Sequence, residues 1–204
     1  MTVPTPLLLY LHGLNSSPAS QKAQQTIHYI QQQALDIEVL APQLSTEPTE
    51  VARYLKEVTE TEAAIRPIYI IGSSLGGYLG TWLHQYLLSL NYTHPVRLAV
   101  VNPAVRPYEL FGQFLGSQEN LYTGEKWVLT EQYAEQLKQL EVSELRQTDS
   151  ILLLAQTGDE VLDYRLAEET YNQCHMVIQK NGSHAFERYG STLPVILNFF
   201  QHLK

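Results

Sequence analysis

Pro67-Ile68-Tyr69-Ile70-Ile71-Gly72-Ser73-Ser74-Leu75-Gly76 decides how this chain is read. Pro67 to Ile71 is a β-branched and aromatic run without polar interruption, the pattern of a parallel strand buried on both faces. Leu75 to Leu90 follows, with Leu79, Leu83, Leu87 and Leu90 at helical spacing. Between them lies Gly72-x-Ser74-x-Gly76, so a serine stands at a sharp strand-to-helix turn. A nucleophile at such a turn is held in a strained backbone conformation, and a side chain at Gly72 or Gly76 would crowd the neighbouring strand or helix. By composition alone the pattern is weak, since chance yields it in roughly one of fifteen chains of this size. The flanking strand and helix give it its weight.

Outward from the turn, strands and helices alternate. Leu7 to Leu11 reads as a strand, Ser20 to Ala34 as a helix and Ile37 to Leu40 as a second strand. Pro48 to Ile65 reads as a helix, with Pro48 in its first turn and Thr46 or Thr49 as N-cap. After the central turn come strands at Val96 to Val101, Ile151 to Ala155 and Met176 to Ile178, then a closing helix from Leu193 to Leu203. Such alternation predicts a mostly parallel sheet of about six strands with helices on both faces. Residues 102–150 break the rhythm. They hold no convincing strand, carry Phe111, Phe114, Leu115 and Trp127, and end in a polar helical stretch from Thr130 to Leu145. A structureless loop of that length is improbable in a compact domain. We read it as a small, lid-like helical insertion after the fourth strand, the alternative being a crossover helix with long arms.

Composition restricts the rest. At 204 residues, 44% hydrophobic and 17% charged, the chain fits one globular domain over residues 1–204. A formal charge of −8, with 13 lysines and arginines scattered singly, argues against nucleic-acid binding and a membrane-surface helix. The start, Met1-Thr2-Val3-Pro4-Thr5-Pro6, lacks a basic region and no apolar run approaches spanning length, so neither a signal peptide nor a membrane span is expected. The single cysteine, Cys174, cannot form an intramolecular disulfide. Together these predict a soluble cytoplasmic protein.

A serine hydroxyl is a poor nucleophile at neutral pH and needs a base, which needs an orienting acid. On a scaffold with this turn the chain order is Ser, then Asp or Glu, then His. The strand Ile151 to Ala155 runs into Gln156-Thr157-Gly158-Asp159-Glu160-Val161-Leu162-Asp163-Tyr164. Asp159 stands at the carboxyl end of that strand, where catalytic loops gather in open parallel sheets. Glu160 and Asp163 compete with it, although Asp163 suits the N-cap of a helix beginning near Tyr164. For the base, Asn181-Gly182-Ser183-His184-Ala185-Phe186 forms a turn-rich loop before the last helix. Order and loop position single out His184. His28, His84, His94, His175 and His202 stand in helical, surface or strand-start contexts. His12-Gly13-Leu14 follows the first strand, where a His-Gly turn leads to an oxyanion hole, so His12 takes a structural role. The backbone N–H groups of Leu14 and Leu75 are the expected oxyanion donors.

Leu9 to Pro18, Gly72 to Tyr78, Val101 to Pro107, Asn120 to Gly124, Gln156 to Arg165 and Gly182 to Phe186 together resemble the YqiA-like bacterial esterases. The resemblance covers nearly the whole chain. It implies a compact α/β-hydrolase fold, esterase-type activity and a triad on Ser74, Asp159 and His184, and it names no physiological substrate. Candidate substrate-binding residues are Asn15, Tyr78, Arg106 and Tyr122. Asn15-Ser16-Ser17 either shapes an acyl pocket or caps the helix at Ser20. Asn102-Pro103 launches the insertion. Arg106 and Arg165 either meet an anionic leaving group or pair with surface carboxylates. Tyr78, Tyr108, Phe111, Tyr122 and Trp127 are candidates for an acyl pocket, against ordinary core packing.

The expectation is therefore a serine hydrolase acting on a small-molecule carboxylic ester or thioester through an acyl-enzyme on Ser74, with no metal or cofactor. The rivals are a C–C hydrolase or lyase on the same scaffold and a non-catalytic binding protein. A phosphate-binding loop at Gly72 to Gly77 is rejected, because the lysine of Gly-x-x-x-x-Gly-Lys-Ser/Thr is missing.

Overall fold

Long aliphatic runs at regular intervals build the centre of the molecule. The structure is a computed structural model that describes residues 4–202. In chain order the elements are β1 (Leu7–Leu11), α1 (Gln21–Gln32), β2 (Glu38–Leu40), α2 (Pro48–Ala63), β3 (Ile68–Ser73), α3 (Leu75–Ser89) and β4 (Val96–Val101). They continue as α4 (Pro107–Leu110), β5 (Gly116–Glu119), β6 (Lys126–Leu129), α5 (Glu131–Lys138), β7 (Ile151–Gln156), α6 (Tyr164–Thr170), β8 (His175–Gln179) and α7 (Leu193–His202). The end expected for the last helix, Leu203, lies outside the described residues, as do Met1 to Val3. The main sheet has six strands in the order β2-β1-β3-β4-β7-β8. Every pair in it is parallel, with Leu11 beside Gly72 and Ser73 beside Val101.

Strand periodicity sends alternate side chains to opposite faces. Leu7, Leu9, Leu11, Ile68, Ile70, Leu98, Val100 and Leu153 pack on one face, against Leu55 of α2, Leu79, Leu83 and Leu87 of α3 and Ala167 of α6. Leu8, Tyr10, Tyr69, Ile71, Ala99, Val101, Leu152 and Leu154 pack on the other, against Ala23 and Ile30 of α1 and Ile196, Leu197 and Phe200 of α7. Helices therefore cover both faces, and the carboxyl ends of β1, β3, β4 and β7 open side by side along one edge. α2 is capped differently from the expectation. Its N-cap is Glu47, whose side chain makes no capping bond, and the Glu47 N–H donates instead to Ser45 Oγ at 3.1 Å.

The segment after β4 differs from the helical insertion that its sequence suggests. It holds two short helices, but between them β5 and β6 form an antiparallel hairpin, with Gly116 opposite Leu129 and Glu119 opposite Lys126. The stretch expected to be helical to Leu145 is helical only over Glu131–Lys138. Gly116-Ser117-Gln118-Glu119 shows no apolar alternation, so nothing in it reads as a strand. Side chains hold the hairpin instead. Asn120, buried at the turn, donates to the Ser16 carbonyl at 2.8 Å and accepts the Tyr122 and Thr123 amides at 2.9 and 3.2 Å. Asn15 donates to Gln118 Oε1 at 3.1 Å and accepts the Trp127 indole N–H at 2.9 Å. The hairpin is thus latched to the loop that follows β1.

Candidate active site

β3 runs directly into α3, and the turn between them forces Ser74 to φ 56°, ψ −123°. A non-glycine residue there carries strain of order 1–3 kcal/mol, held by its surroundings. The Ser74 N–H donates to the Val101 carbonyl at 3.1 Å, and its own carbonyl accepts the Gly77 and Ala104 amides at 2.9 and 3.0 Å. The glycines answer close approach. A Cβ on Gly72 would strike the Gly76 carbonyl, and one on Gly76 would strike the carbonyls of Leu11 and His12 at the end of β1.

Three side chains meet at this edge. His184 Nε2 lies 3.1 Å from Ser74 Oγ, and His184 Nδ1 lies 2.8 Å from Asp159 Oδ2 and 3.1 Å from Oδ1. A carboxylate can only accept, so Nδ1 carries the proton and Nε2 is left to accept from the serine hydroxyl. The Asp159 side chain is 2% exposed and that of His184 24%, so the acid is sealed behind a base that reaches solvent. Burial pushes the Asp159 carboxyl up. Hydrogen bonds from His184 and from the Leu162 and Val161 amides outweigh that and hold it below the usual carboxylate range. Of the other acids considered, Glu160 accepts the His184 backbone N–H at 3.0 Å. Asp163 caps α6 by accepting the Arg165 amide at 3.0 Å and also pairs with the Arg165 guanidinium at 2.7 Å.

The loop after β1 faces the serine. A Cβ on Gly13 would lie 3.1 Å from Ser74 Cβ and 3.5 Å from its Oγ. His12 is buried behind this loop. Its Nδ1–H donates to the Gly13 carbonyl at 2.9 Å, and its Nε2 accepts the Leu44 amide at 3.1 Å. Burial pushes the His12 pKa down, which keeps the imidazole in the neutral tautomer this pattern needs. Among the described residues, the amides of Leu14 and Leu75 have no hydrogen-bond acceptor in the chain. Two free donors therefore flank Ser74, one on the loop after β1 and one at the first residue of α3.

A cleft of about 230 Å³ opens at Ser74 and His184, walled by Gly13, Leu14, Lys22 and Tyr122 among others. Tyr122, at the hairpin tip, is the one substrate-binding candidate that lines it. Asn15 stands behind it as the hairpin latch. Tyr78 is buried under α5 and donates its hydroxyl to the Leu137 carbonyl at 2.7 Å. Arg106 lies 3.5 Å from Glu109 and lines a separate cleft of about 530 Å³ beside Tyr171 and Cys174. Burial pushes the Cys174 thiol up to about 11, away from the reactive thiolate.

Sequence reasoning read Asn102 as the turn that launches the insertion and gave Gln156 no role, whereas both fix the histidine loop. Asn102, buried at the end of β4 with φ 39°, donates to the carbonyls of Ser183 and His184 at 2.9 and 3.2 Å and accepts the Gln156 amide at 2.9 Å. Gln156 Oε1 in turn accepts the amides of Ser183 and Glu187 at 3.1 and 2.8 Å. The conspicuous signal was the polar pair Asn102 and Gln156, which follow the apolar stretches Leu98 to Val101 and Ile151 to Ala155.

The fold is that of the α/β-hydrolases. The mouse α/β hydrolase domain-containing protein 10 matches with a TM-score of 0.75 at 14% identity, covering 100% of this chain and 93% of that one. Est1E from Butyrivibrio proteoclasticus, with ferulic acid bound, matches with a TM-score of 0.71 at 14% identity over 95% of this chain and 87% of its own. XC6422 from Xanthomonas campestris, an α/β serine hydrolase without a lid, matches with a TM-score of 0.65 at 14% identity over 100% and 85%. The chain itself belongs to the uncharacterised protein family UPF0227, the YqiA-like family, whose model matches residues 7–201. No helix among the described residues is long and apolar enough to cross a membrane.

Proposed function

We propose that this protein is a serine hydrolase of small carboxylic esters or thioesters. The observation that carries the reading is the hydrogen-bonded chain Ser74–His184–Asp159, set on a strained turn and open to a cleft. Ser74 Oγ attacks the acyl carbon while His184 Nε2 takes its proton. Asp159, kept ionised, holds the imidazole in the required tautomer and stabilises the imidazolium. The amides of Leu14 and Leu75 receive the oxyanion, each contributing roughly 3 kcal/mol to the transition state. His184 then protonates the departing alcohol or thiol, and water activated by the same nitrogen releases the acid. These steps use groups of the chain and one water.

The neighbours named as hydrolases support the same chemistry. In this reading residues 1–204 act as one cytoplasmic domain on a small molecule, and the 102–150 insertion walls the cleft through its hairpin. The test is labelling with a fluorophosphonate, followed by peptide mass spectrometry. An adduct on Ser74, lost in Ser74→Ala and in His184→Ala, is expected. A folded wild-type protein that takes no label would overturn the proposal.

A further inference from the structure

Lys22 stands in the first turn of α1. A cation there opposes the helix dipole, whose N-terminal end carries about half a positive charge, and no acidic residue stands in that turn to offset it. Helix stability therefore does not account for a lysine at this position. The side chain is half-buried, and one N–H donates to the Ala185 carbonyl at 2.9 Å, next to His184. An ammonium has three donors, so two remain for a ligand. Lys22 belongs to the wall of the Ser74 cleft, and no Asp or Glu among the described residues lines that cleft. The Lys22 ammonium, which feels the Asp159 carboxylate behind His184 but meets no carboxylate in the cleft walls, thus faces a cleft of about 230 Å³. At about 30 Å³ per water that space corresponds to roughly eight waters, the size of a small ligand.

Resting on the hydrolase reading above, we propose that the site selects small esters or thioesters carrying an anionic group, a carboxylate or a phosphate, and that Lys22 is the residue that holds it. Charge-assisted bonds from the ammonium anchor the anion. Its reach across the cleft then orients the acyl carbon at Ser74 Oγ, with the carbonyl toward the Leu14 and Leu75 amides. The anion belongs either to the acyl part or to the leaving alcohol.

Two matched pairs of probes separate these sources. Monomethyl glutarate against methyl pentanoate places the charge on the acid, and O-acetylglycolate against ethyl acetate places it on the alcohol. Turnover is followed by proton release for the wild type, Lys22→Met and Lys22→Arg. The wild type is expected to favour the anionic member of one pair by tenfold or more in kcat/KM, mainly through KM, as a hydrogen-bonded charge pair supplies. Lys22→Met is expected to lose that preference and Lys22→Arg to keep part of it. Taking the ratio within each variant cancels any loosening of the His184 loop when the Ala185 bond is lost. Equal rates for both members of both pairs in the wild type would overturn the proposal, as would an undiminished preference in Lys22→Met. Absence of turnover with all four esters and with 4-nitrophenyl acetate would instead overturn the hydrolase reading, and the selection with it.

Discussion

Asn102 does not line the Ser74 cleft, yet the geometry makes the position of His184 depend on it. Its side chain spans the ends of two strands and the histidine loop with three hydrogen bonds, to the Ser183 and His184 carbonyls and from the Gln156 amide. In Asn102→Ala all three are lost, at a net of about 1 kcal/mol each. Alanine must also adopt the φ of 39° seen here, which adds about 1 kcal/mol. The expected cost is about 3–4 kcal/mol, within what a domain of this size survives. With an urea m-value of about 2 kcal/mol/M, the unfolding midpoint falls by roughly 1.5–2 M. The freed loop lets the imidazole drift from Ser74, so kcat falls by about tenfold or more with KM little changed. Asn102→Asp retains the acceptor for the Gln156 amide but sets an anion against two carbonyls, and it should lose more activity than alanine. Asn102→Gly removes the bonds without the left-handed cost and should fall between wild type and alanine in stability. An alanine variant within 0.5 kcal/mol of wild type, with unchanged kcat, would refute the reasoning.

His84 is fully buried between Ser150 and Gln85, and burial pushes its pKa down from 6.5 to about 4. The folded state therefore binds its proton later than the unfolded chain, so stability present above pH 6.5 is lost as the pH falls toward 4. The loss totals about 3 kcal/mol. His84→Gln should flatten unfolding curves between pH 6.5 and 4 relative to wild type, whereas parallel curves would count against the assignment. Gly76→Ala drives a methyl into the backbone of β1. A loss of about 3 kcal/mol or more is expected by thermal unfolding, and a wild-type melting temperature would contradict the packing. Asn120→Ala unlatches the hairpin from Ser16. Limited proteolysis should then cut within 116–129 while the main sheet stays resistant, and an unchanged digestion pattern would show the latch to be dispensable.

The main sheet was legible in the sequence because its central strands are mostly apolar runs, and a run such as Ile151 to Ala155 has no alternative but burial. The candidate triad was legible too. Ser74, Asp159 and His184 each follow a strand, and a loop after a parallel strand opens at the same edge as its neighbours. The hairpin was not legible. β5 is polar throughout and is held by Asn15, Asn120 and Trp127 across more than a hundred residues of chain, a contact that no local pattern encodes. Asn102 was read as the start of a turn, because its three partners become neighbours only once β4, β7 and the histidine loop are side by side. Lys22 reads in sequence as one more solvated residue of an amphipathic helix. Only the approach of the Ala185 loop places it in the cleft. Arg106 was read either as a binder of an anionic leaving group or as the partner of a surface carboxylate, and it pairs with Glu109 outside the Ser74 cleft.

The proposed mechanism requires Ser74 to be acylated. Rapid-quench mass spectrometry of the wild type with 4-nitrophenyl acetate tests it most directly. A burst of nitrophenol equal to the enzyme present is expected, with one acetyl group on the peptide containing Ser74 that decays as water replaces the alcohol. Turnover without any acetyl group on that peptide, or an acetyl group retained in Ser74→Ala, would contradict it.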